Sequence, residues 1–257
     1  MIDIIEYLKG LAERTGETLL NSADEKHLLE FKTSSKDVVT DVDKRIQDEL
    51  IDTIKNQFSS AAFFAEENIF YSDLMADELF VIDPIDGTSN FIKKADYSAV
   101  SIAFYQKGNP VAGVVYNPFS NEMFTAKTGE GAFLNGRPLR IPEATLSGSL
   151  VAFGTSPYNE ETTDETFELI KSVYGRCLDI RRLGSAALDI CHVADGRYGL
   201  YFEAALSFWD YAAAAIVLRE AGGVLLNFHG QEISVNGKKT SVIAGTKAVI
   251  DESHIIR

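Results

Sequence analysis

Two short apolar runs that each stop on acidic residues constrain this chain more than any other feature. Residues 61–65 (AAFFA) lead into Glu66 and Glu67, and residues 79–82 (LFVI) lead into Asp83. Runs of this length and apolarity read as buried strands. A chain that buries them delivers carboxylates from the C-terminal ends of those strands.

The second run continues as Val81-Ile82-Asp83-Pro84-Ile85-Asp86-Gly87-Thr88-Ser89-Asn90-Phe91. Pro84 is expected to force a turn, and Asp86 follows Asp83 by three residues. The two carboxylates can converge on one side of the loop, with the Ile85 carbonyl between them. Carboxylate and carbonyl oxygens with no nearby His or Cys suit Mg²⁺ rather than zinc. Gly87 lets the backbone approach a ligand closely, and a helical turn from Thr88 would aim the Gly87 and Thr88 amides at an anion. Acceptors for a cation beside donors for an anion are what a metal-bound phosphate needs. Taken alone, D-P-x-D-G reads first as a common turn whose aspartates cap amides. A Glu pair at a strand end is ordinarily a solvated edge. Asp210, beside the single Trp at the start of a helical pattern, ordinarily satisfies the helix dipole.

The remaining chain divides by texture. Ile4, Ile5, Leu8, Leu11, Ala12 and Leu19 follow helical spacing, and residues 43–58 do so again through Ile46, Leu50, Ile51 and Ile54. A polar stretch, residues 31–37, separates them. Residues 98–105, 111–116 and 122–127 read as strands of an antiparallel meander. Turns at Gly108-Asn109-Pro110, Asn117-Pro118 and Asn135-Gly136 separate or bound them. Strand and helix then alternate: strand 150–153, helix 160–174, strand 177–181, helix 185–194, strand 198–202 and helix 209–221, stopped by Gly222-Gly223. Strands 224–226 and 242–244 follow. An α+β half thus precedes a layered α/β half, with a boundary near residue 145 and no Pro, Gly or Ser linker.

The 257 residues allow one large domain or two modest ones. With 24 basic against 38 acidic residues the net charge is −14, which argues against a broad nucleic-acid footprint. It leaves room for a small phosphorylated ligand whose charge a metal neutralises. Two cysteines, Cys177 and Cys191, write no disulfide framework. The N-terminus lacks the pattern of a signal peptide, and no apolar run suggests a membrane span, so the expectation is a cytoplasmic protein with no membrane partner. The four histidines are scattered, and His192, inside a helical pattern, reads as a satisfied buried residue.

In combination these residues resemble the inositol monophosphatase family of metal-dependent phosphatases. One signature of that family is similar to Asp83-Pro84-Ile85-Asp86-Gly87-Thr88-Ser89-Asn90-Phe91. A second is similar to Trp209-Asp210-Tyr211-Ala212-Ala213 with Glu220-Ala221-Gly222-Gly223. Asp37-Val38-Val39-Thr40 with Asp43, Glu66-Glu67, Gly184-Ser185-Ala186 and Glu203 also match, in order, from about residue 30 to 225. The resemblance implies a mixed α/β and α+β chain with a layered α-β-α-β-α sugar-phosphatase-like fold. Residues 1–145 would form an N-terminal half carrying most metal ligands, and residues 146–257 a C-terminal half completing the active site.

The same resemblance implies residue roles. Glu66, Asp83 and the Ile85 carbonyl would hold one Mg²⁺, and Asp83, Asp86 and Asp210 a second. A third, weaker ion would sit at Glu66, making two or three per site. Glu66 and Thr88 would orient the attacking water, with Asp43 supporting Thr88. The Gly87 and Thr88 amides would bind phosphate, and Asp86, Gly184, Ser185, Ala186, Glu203 and Asp210 would meet the alcohol part of the substrate. A homodimer is also implied.

The chain departs from the family at Ala65 and Ala214, where Gly is usual, at Ser89 for Thr, and at residues 91–96 (FIKKAD), where relatives carry a His-Gly-Phe-Pro-like stretch. The implied activity is Mg²⁺-dependent hydrolysis of a small phosphate monoester, inositol monophosphate first. Fructose 1,6-bisphosphate, 3′-phosphoadenosine 5′-phosphate and NADP are alternative substrates, and a silent metal- and phosphate-binding module is the non-enzymatic alternative. Glu203 favours a polyol. Lys93 and Lys94 read as solvated loop lysines or as contacts to a second phosphate or a neighbouring subunit.

Overall fold

The structure is a computed structural model that describes residues 2–25, 29–31, 38–67, 73–157, 159–233 and 235–256. His27, Asp37 and all of the polar stretch 31–37 except Phe31 lie outside the described residues.

The amphipathic N-terminal pattern forms α1 (Ile4–Ser22), started by the Asp3 carboxylate, which accepts from the Ile5 amide, and burying Leu8, Leu11, Ala12 and Leu19. Strands β1 (Leu29–Phe31) and β2 (Val38–Thr40) pair antiparallel. Helix α2 (Asp41–Gln57) opens on a capping box between Thr40 and Asp43, so two helix-end donors are satisfied locally. The two acid-terminated runs form β3 (Ala62–Ala65) and β4 (Leu79–Asp86), and a short helix, α3 (Thr88–Lys93), follows. The meander is β5 (Ala99–Gln106), β6 (Asn109–Asn117), β7 (Glu122–Lys127), β8 (Gly131–Leu134) and β9 (Arg137–Leu139). The C-terminal half runs β10 (Leu150–Phe153), α4 (Thr163–Tyr174), β11 (Asp179–Arg181), α5 (Ala186–Ala194), β12 (Leu200–Leu206), α6 (Phe208–Glu220), β13 (Val224–Leu226), β14 (Thr240–Gly245) and α7 (Lys247–Ser253).

A seven-stranded sheet has the order β3-β4-β5-β6-β7-β8-β9, antiparallel except for the β3–β4 pair. A five-stranded sheet has the order β11-β10-β12-β14-β13, with β10 parallel to both its neighbours. The apolar runs are uninterrupted because both faces of each sheet are covered. Along β4, Phe80 and Ile82 join α1 and α2 in one cluster, while Leu79 and Val81 join α5 and α6 in another. Along β12, Tyr201 faces that inner cluster and Phe202 faces an outer one with Leu169 of α4 and Val249 of α7. The layers are therefore α1 and α2, the larger sheet, α5 and α6, the smaller sheet, then α4 and α7: the five-layer α-β-α-β-α order expected.

Helix α6 shows no polar face over residues 211–218, all of which are buried, because it lies between the two sheets. Small residues allow that approach. A Cβ on Gly113 of β6 would stand 2.7 Å from the Ala213 carbonyl oxygen, and Ala214, a departure from the family, packs fully buried.

Several boundaries differ from the sequence expectation. Pro84 makes no turn; β4 continues to Asp86 across a bulge, its pairing with β5 shifting between Asp83 and Asp86. A bulge tolerates a residue with no N–H to donate. The turn expected at residues 108–110 is Lys107-Gly108, with φ of 50° and 76°, and Asn109 and Pro110 already belong to β6. Both central φ values are positive, the geometry a two-residue hairpin favours; Asn135-Gly136, at 49° and 76°, behaves as expected. Strand β12 runs four residues beyond 202 and so carries Glu203 within it. The helix expected from residue 160 begins as a 3₁₀ turn at Glu160–Thr162, and the strand expected from residue 177 begins at Asp179. Short elements such as β1, β2 and α7 have too few residues to show a period. Among the described residues no helix is long and apolar enough to cross a membrane.

Candidate active site

One cleft opens where β3, β4 and β10 end and where α3, α5 and α6 begin. Glu66 follows β3; Asp83, Ile85 and Asp86 occupy the bulged end of β4; Gly87 and Thr88 start α3. The opposite wall is Gly184, Ser185 and Ala186 before and at the start of α5, with Glu203 from β12 and Asp210 in the first turn of α6. All of these line the cleft, so eleven of the twelve residues singled out from sequence are brought together. The twelfth, Asp43, does not line it but touches a residue that does: the Thr88 hydroxyl donates to Asp43 Oδ1 at 3.0 Å.

Three of the acidic side chains are held by hydrogen-bond donors. Asp83 Oδ1 accepts from the Ile85 amide at 3.0 Å. Asp86 caps α5 from across the molecule: the Ala186 amide reaches Oδ1 at 3.2 Å, and the Ala187 amide reaches Oδ2 at 2.7 Å, where the Ser185 hydroxyl also donates. Asp210 accepts from the Ser207 amide at 2.7 Å, closing a capping box at α6. Asp83 and Asp210 cap nearby amides as the sequence suggested, Asp86 caps α5 rather than a turn of its own, and all three also line the cleft. Glu66 is positioned through its neighbour, since Gln47 of α2 accepts from the Glu67 amide at 2.7 Å and donates to the Glu67 carbonyl. Ala65 is an ordinary strand residue opposite Ile82, so the missing family glycine changes no special backbone here.

Electrostatically the cleft is an acid cluster. Burial pushes the Asp83 carboxyl well above the usual carboxylate range, and the charges of Glu66, Asp86 and Asp210 add to it. Asp210 rises in the same way, through burial and then Glu66 and Asp86. Burial lifts Asp86 to about 7, although the donors from Ser185, Ala187 and Ala186 favour its charged form. Among the described residues no three acidic, histidine or cysteine side chains stand close enough, as placed, to hold one metal ion. The donor chemistry nevertheless fits a hard divalent cation. It consists of carboxylate oxygens with the Ile85 backbone at the same rim, no histidine or cysteine lines the cleft among the described residues, and carboxylate oxygens that accept one amide keep a second lone pair.

Sequence reasoning missed several residues that line the cleft or hold its side chains. Ser156, which does not itself line the cleft, is 1 % exposed with φ of 38°; its amide donates to Glu203 Oε1 at 2.8 Å, and its single hydroxyl proton has two acceptors, Glu203 Oε1 at 2.7 Å and the Ala205 carbonyl at 2.8 Å. The Tyr201 hydroxyl donates to Glu203 Oε2 at 2.6 Å, as side chains two apart on one strand face can. Gly154 must be glycine, because a Cβ there would fall 1.9 Å from Glu203 Oε2. Asp189 and Arg182 also line the cleft. Asp189 Oδ1 accepts from the Tyr97 hydroxyl at 2.9 Å, which lies 3.0 Å from His192 Nδ1, so His192 is the satisfied buried histidine expected. None of these carries a sequence signal beyond lying near a strand or helix end. Lys93 and Lys94 are exposed and do not line the cleft, in keeping with the solvated reading and against the alternative contact to a second phosphate. Lys94 instead pairs with Asp24 at 2.6 Å.

Residues 2–256 match the family model described as inositol monophosphatase family. The chain is 40 % identical over 219 residues to a protein of Escherichia coli K12 called Nus factor SuhB, covering 84 % of this chain and 80 % of that one. The crystal structure of extragenic suppressor protein suhB from Bartonella henselae superposes with a TM-score of 0.92 at 29 % identity, over 100 % of this chain and 99 % of that one. The Thermotoga maritima IMPase superposes with a TM-score of 0.90 at 33 % identity, over 99 % and 96 %.

Proposed function

The chain belongs to the inositol monophosphatase family, and from that premise we propose that it hydrolyses a small phosphate monoester of a polyol, inositol monophosphate first, with Mg²⁺. The supporting observation is the gathering of Glu66, Asp83, Ile85, Asp86, Thr88 and Asp210, from four elements of the chain, into one cleft. Glu66, Asp83 and the Ile85 carbonyl would hold one ion, Asp83, Asp86 and Asp210 a second, and Glu66 a weaker third. Bound there, the metal neutralises phosphate charge, acidifies water and stabilises the leaving oxygen.

The protein's own groups then position the reactants. Glu66, at the cleft end of β3, takes the proton of the attacking water. The single Thr88 hydroxyl proton has two acceptors, Asp43 Oδ1 at 3.0 Å and the Ile85 carbonyl at 3.1 Å. Its oxygen is therefore left to accept from water, which turns the water's lone pair away from Thr88. The Gly87 and Thr88 amides take phosphate oxygens. Glu203 accepts from substrate hydroxyls, while Asp86, Gly184, Ser185, Ala186 and Asp210 bound the alcohol subsite. The proposal includes a cytoplasmic homodimer, which sedimentation tests.

Phosphate release from inositol 1-phosphate, fructose 1,6-bisphosphate, 3′-phosphoadenosine 5′-phosphate and NADP, with Mg²⁺ and with chelator, tests the reading. Release that requires Mg²⁺ is expected, and no release from any ester under Mg²⁺ refutes it. Ser156→Ala removes one bond to the Glu203 carboxylate, and bonds to charged groups are worth about 1.5–3 kcal/mol. The expected result is a roughly tenfold or larger rise in KM for a polyol phosphate, with a smaller change in kcat. An unchanged KM would show that Glu203 does not depend on Ser156.

A second reading comes from the Escherichia coli relative, whose name places it in transcription. Under it this chain would bind transcription components, and its net charge of −14 favours protein over nucleic-acid contacts. Capture of such components by an inactive variant supports this reading; failure of the active protein to capture any counts against it.

A further inference from the structure

The cleft brings Glu66, Asp83, Asp86, Asp189, Glu203 and Asp210 together, and among the described residues lining it Arg182 is the only basic one. Its place is built rather than incidental. The loop between β11 and α5 is tied to α3 by Asn90, whose amide donates to the Leu183 carbonyl at 2.8 Å and to the Tyr97 carbonyl at 2.7 Å. Gly184 has φ of 93°, and a Cβ on it would stand 2.3 Å from an Arg182 guanidinium nitrogen. The guanidinium thus lies across the bare glycine, with a second nitrogen 3.4 Å from the Thr155 hydroxyl. This wall comes from the ends of the five-stranded sheet, alongside Glu203, Ser185 and Ala186. The groups assigned to the reacting phosphate, Gly87 and Thr88, come from the other sheet.

Resting on the phosphatase reading, we infer that Arg182 takes a second anionic group, a phosphate or carboxylate, carried by the alcohol part of the substrate. Polyol or sugar esters that bear a second anion then gain binding that inositol monophosphate does not. A planar guanidinium binds such groups bidentately, whereas an ammonium offers only a point charge. The role sought at Lys93 and Lys94 from sequence falls instead to a residue 88 positions beyond Lys94.

The test compares kcat/KM for fructose 1,6-bisphosphate and for inositol 1-phosphate in the wild-type protein, Arg182→Gln and Arg182→Lys. The ratio of the first to the second is expected to fall at least about tenfold in Arg182→Gln and less in Arg182→Lys. A ratio unchanged by Arg182→Gln overturns the inference, as does an equal loss on both esters, which would tie Arg182 to the reacting phosphate or to folding. Absence of fructose 1,6-bisphosphate turnover by the wild-type protein overturns this inference alone; the phosphatase reading falls only when none of the four esters named above is hydrolysed.

Discussion

Asp83→Asn lowers Mg²⁺-dependent phosphate release by at least about a thousandfold while leaving the protein folded. Asp83 is the residue proposed to be shared by two ions, so one substitution weakens both. Asparagine keeps nearly the same volume and retains the Oδ1 acceptor that the Ile85 amide reaches at 3.0 Å. The bulged end of β4 therefore survives. The substitution also removes a buried charge beside Glu66, Asp86 and Asp210, so in chelator the variant should melt no lower than the wild-type protein. Phosphate release, calorimetric Mg²⁺ binding and metal-free melting read the three expectations separately. Turnover within about tenfold of wild type would remove Asp83 from the metal site. A lower metal-free melting temperature would mean that its charge is structural.

The second large effect is on stability. In chelator, the melting temperature should fall as pH rises from about 5 to about 8, and saturating Mg²⁺ should restore it most at the alkaline end. Asp86 is held at about 7 in the fold against an ordinary value of 3.8. A carboxyl raised in this way contributes stability that is fully present below its unfolded value and lost as pH climbs through its folded value. For Asp86 alone the loss over this window is about 3 kcal/mol, roughly 8 °C for a chain of this size. Asp83, Asp210, Asp189 and Asp43 are raised by burial and add in the same direction. Glu122 opposes them: the His192 ring and the Arg197 guanidinium hold it well below the usual range, so its contribution disappears only in acid. A melting temperature independent of pH across this window, or a Mg²⁺ effect no larger at pH about 8 than at about 5, would count against a carboxylate cation site.

Much of the architecture was legible because period and run length report burial directly. The amphipathic spacing in α1 and α2 predicts one covered face, and both helices bury that face on the larger sheet. The unbroken apolar runs of β3 and β4 predict interior strands, and both strands are buried between layers. The short elements β1, β2 and α7 were invisible for the converse reason, since they show neither a period nor a long apolar run. The path at Pro84 was misjudged because a proline that ends many strands is also compatible with a bulge, and only the pairing of β4 with β5 decides between them.

The candidate site divides along the same line. Which atoms can act is written in the primary structure: hard oxygen donors at Glu66, Asp83, Asp86 and Asp210, beside a glycine and a threonine that open a helix. Side-chain chemistry does not change with folding, so that inventory was readable in advance. Which neighbours those atoms have was decided by stacking two sheets on either side of α5 and α6. That packing makes Asp86 cap a helix 100 residues away, seats Glu203 on Ser156, sends Lys94 to Asp24 and lays Arg182 across the cleft. Contacts between strands and helices far apart in the chain depend on the relative placement of layers, which no local run of residues encodes.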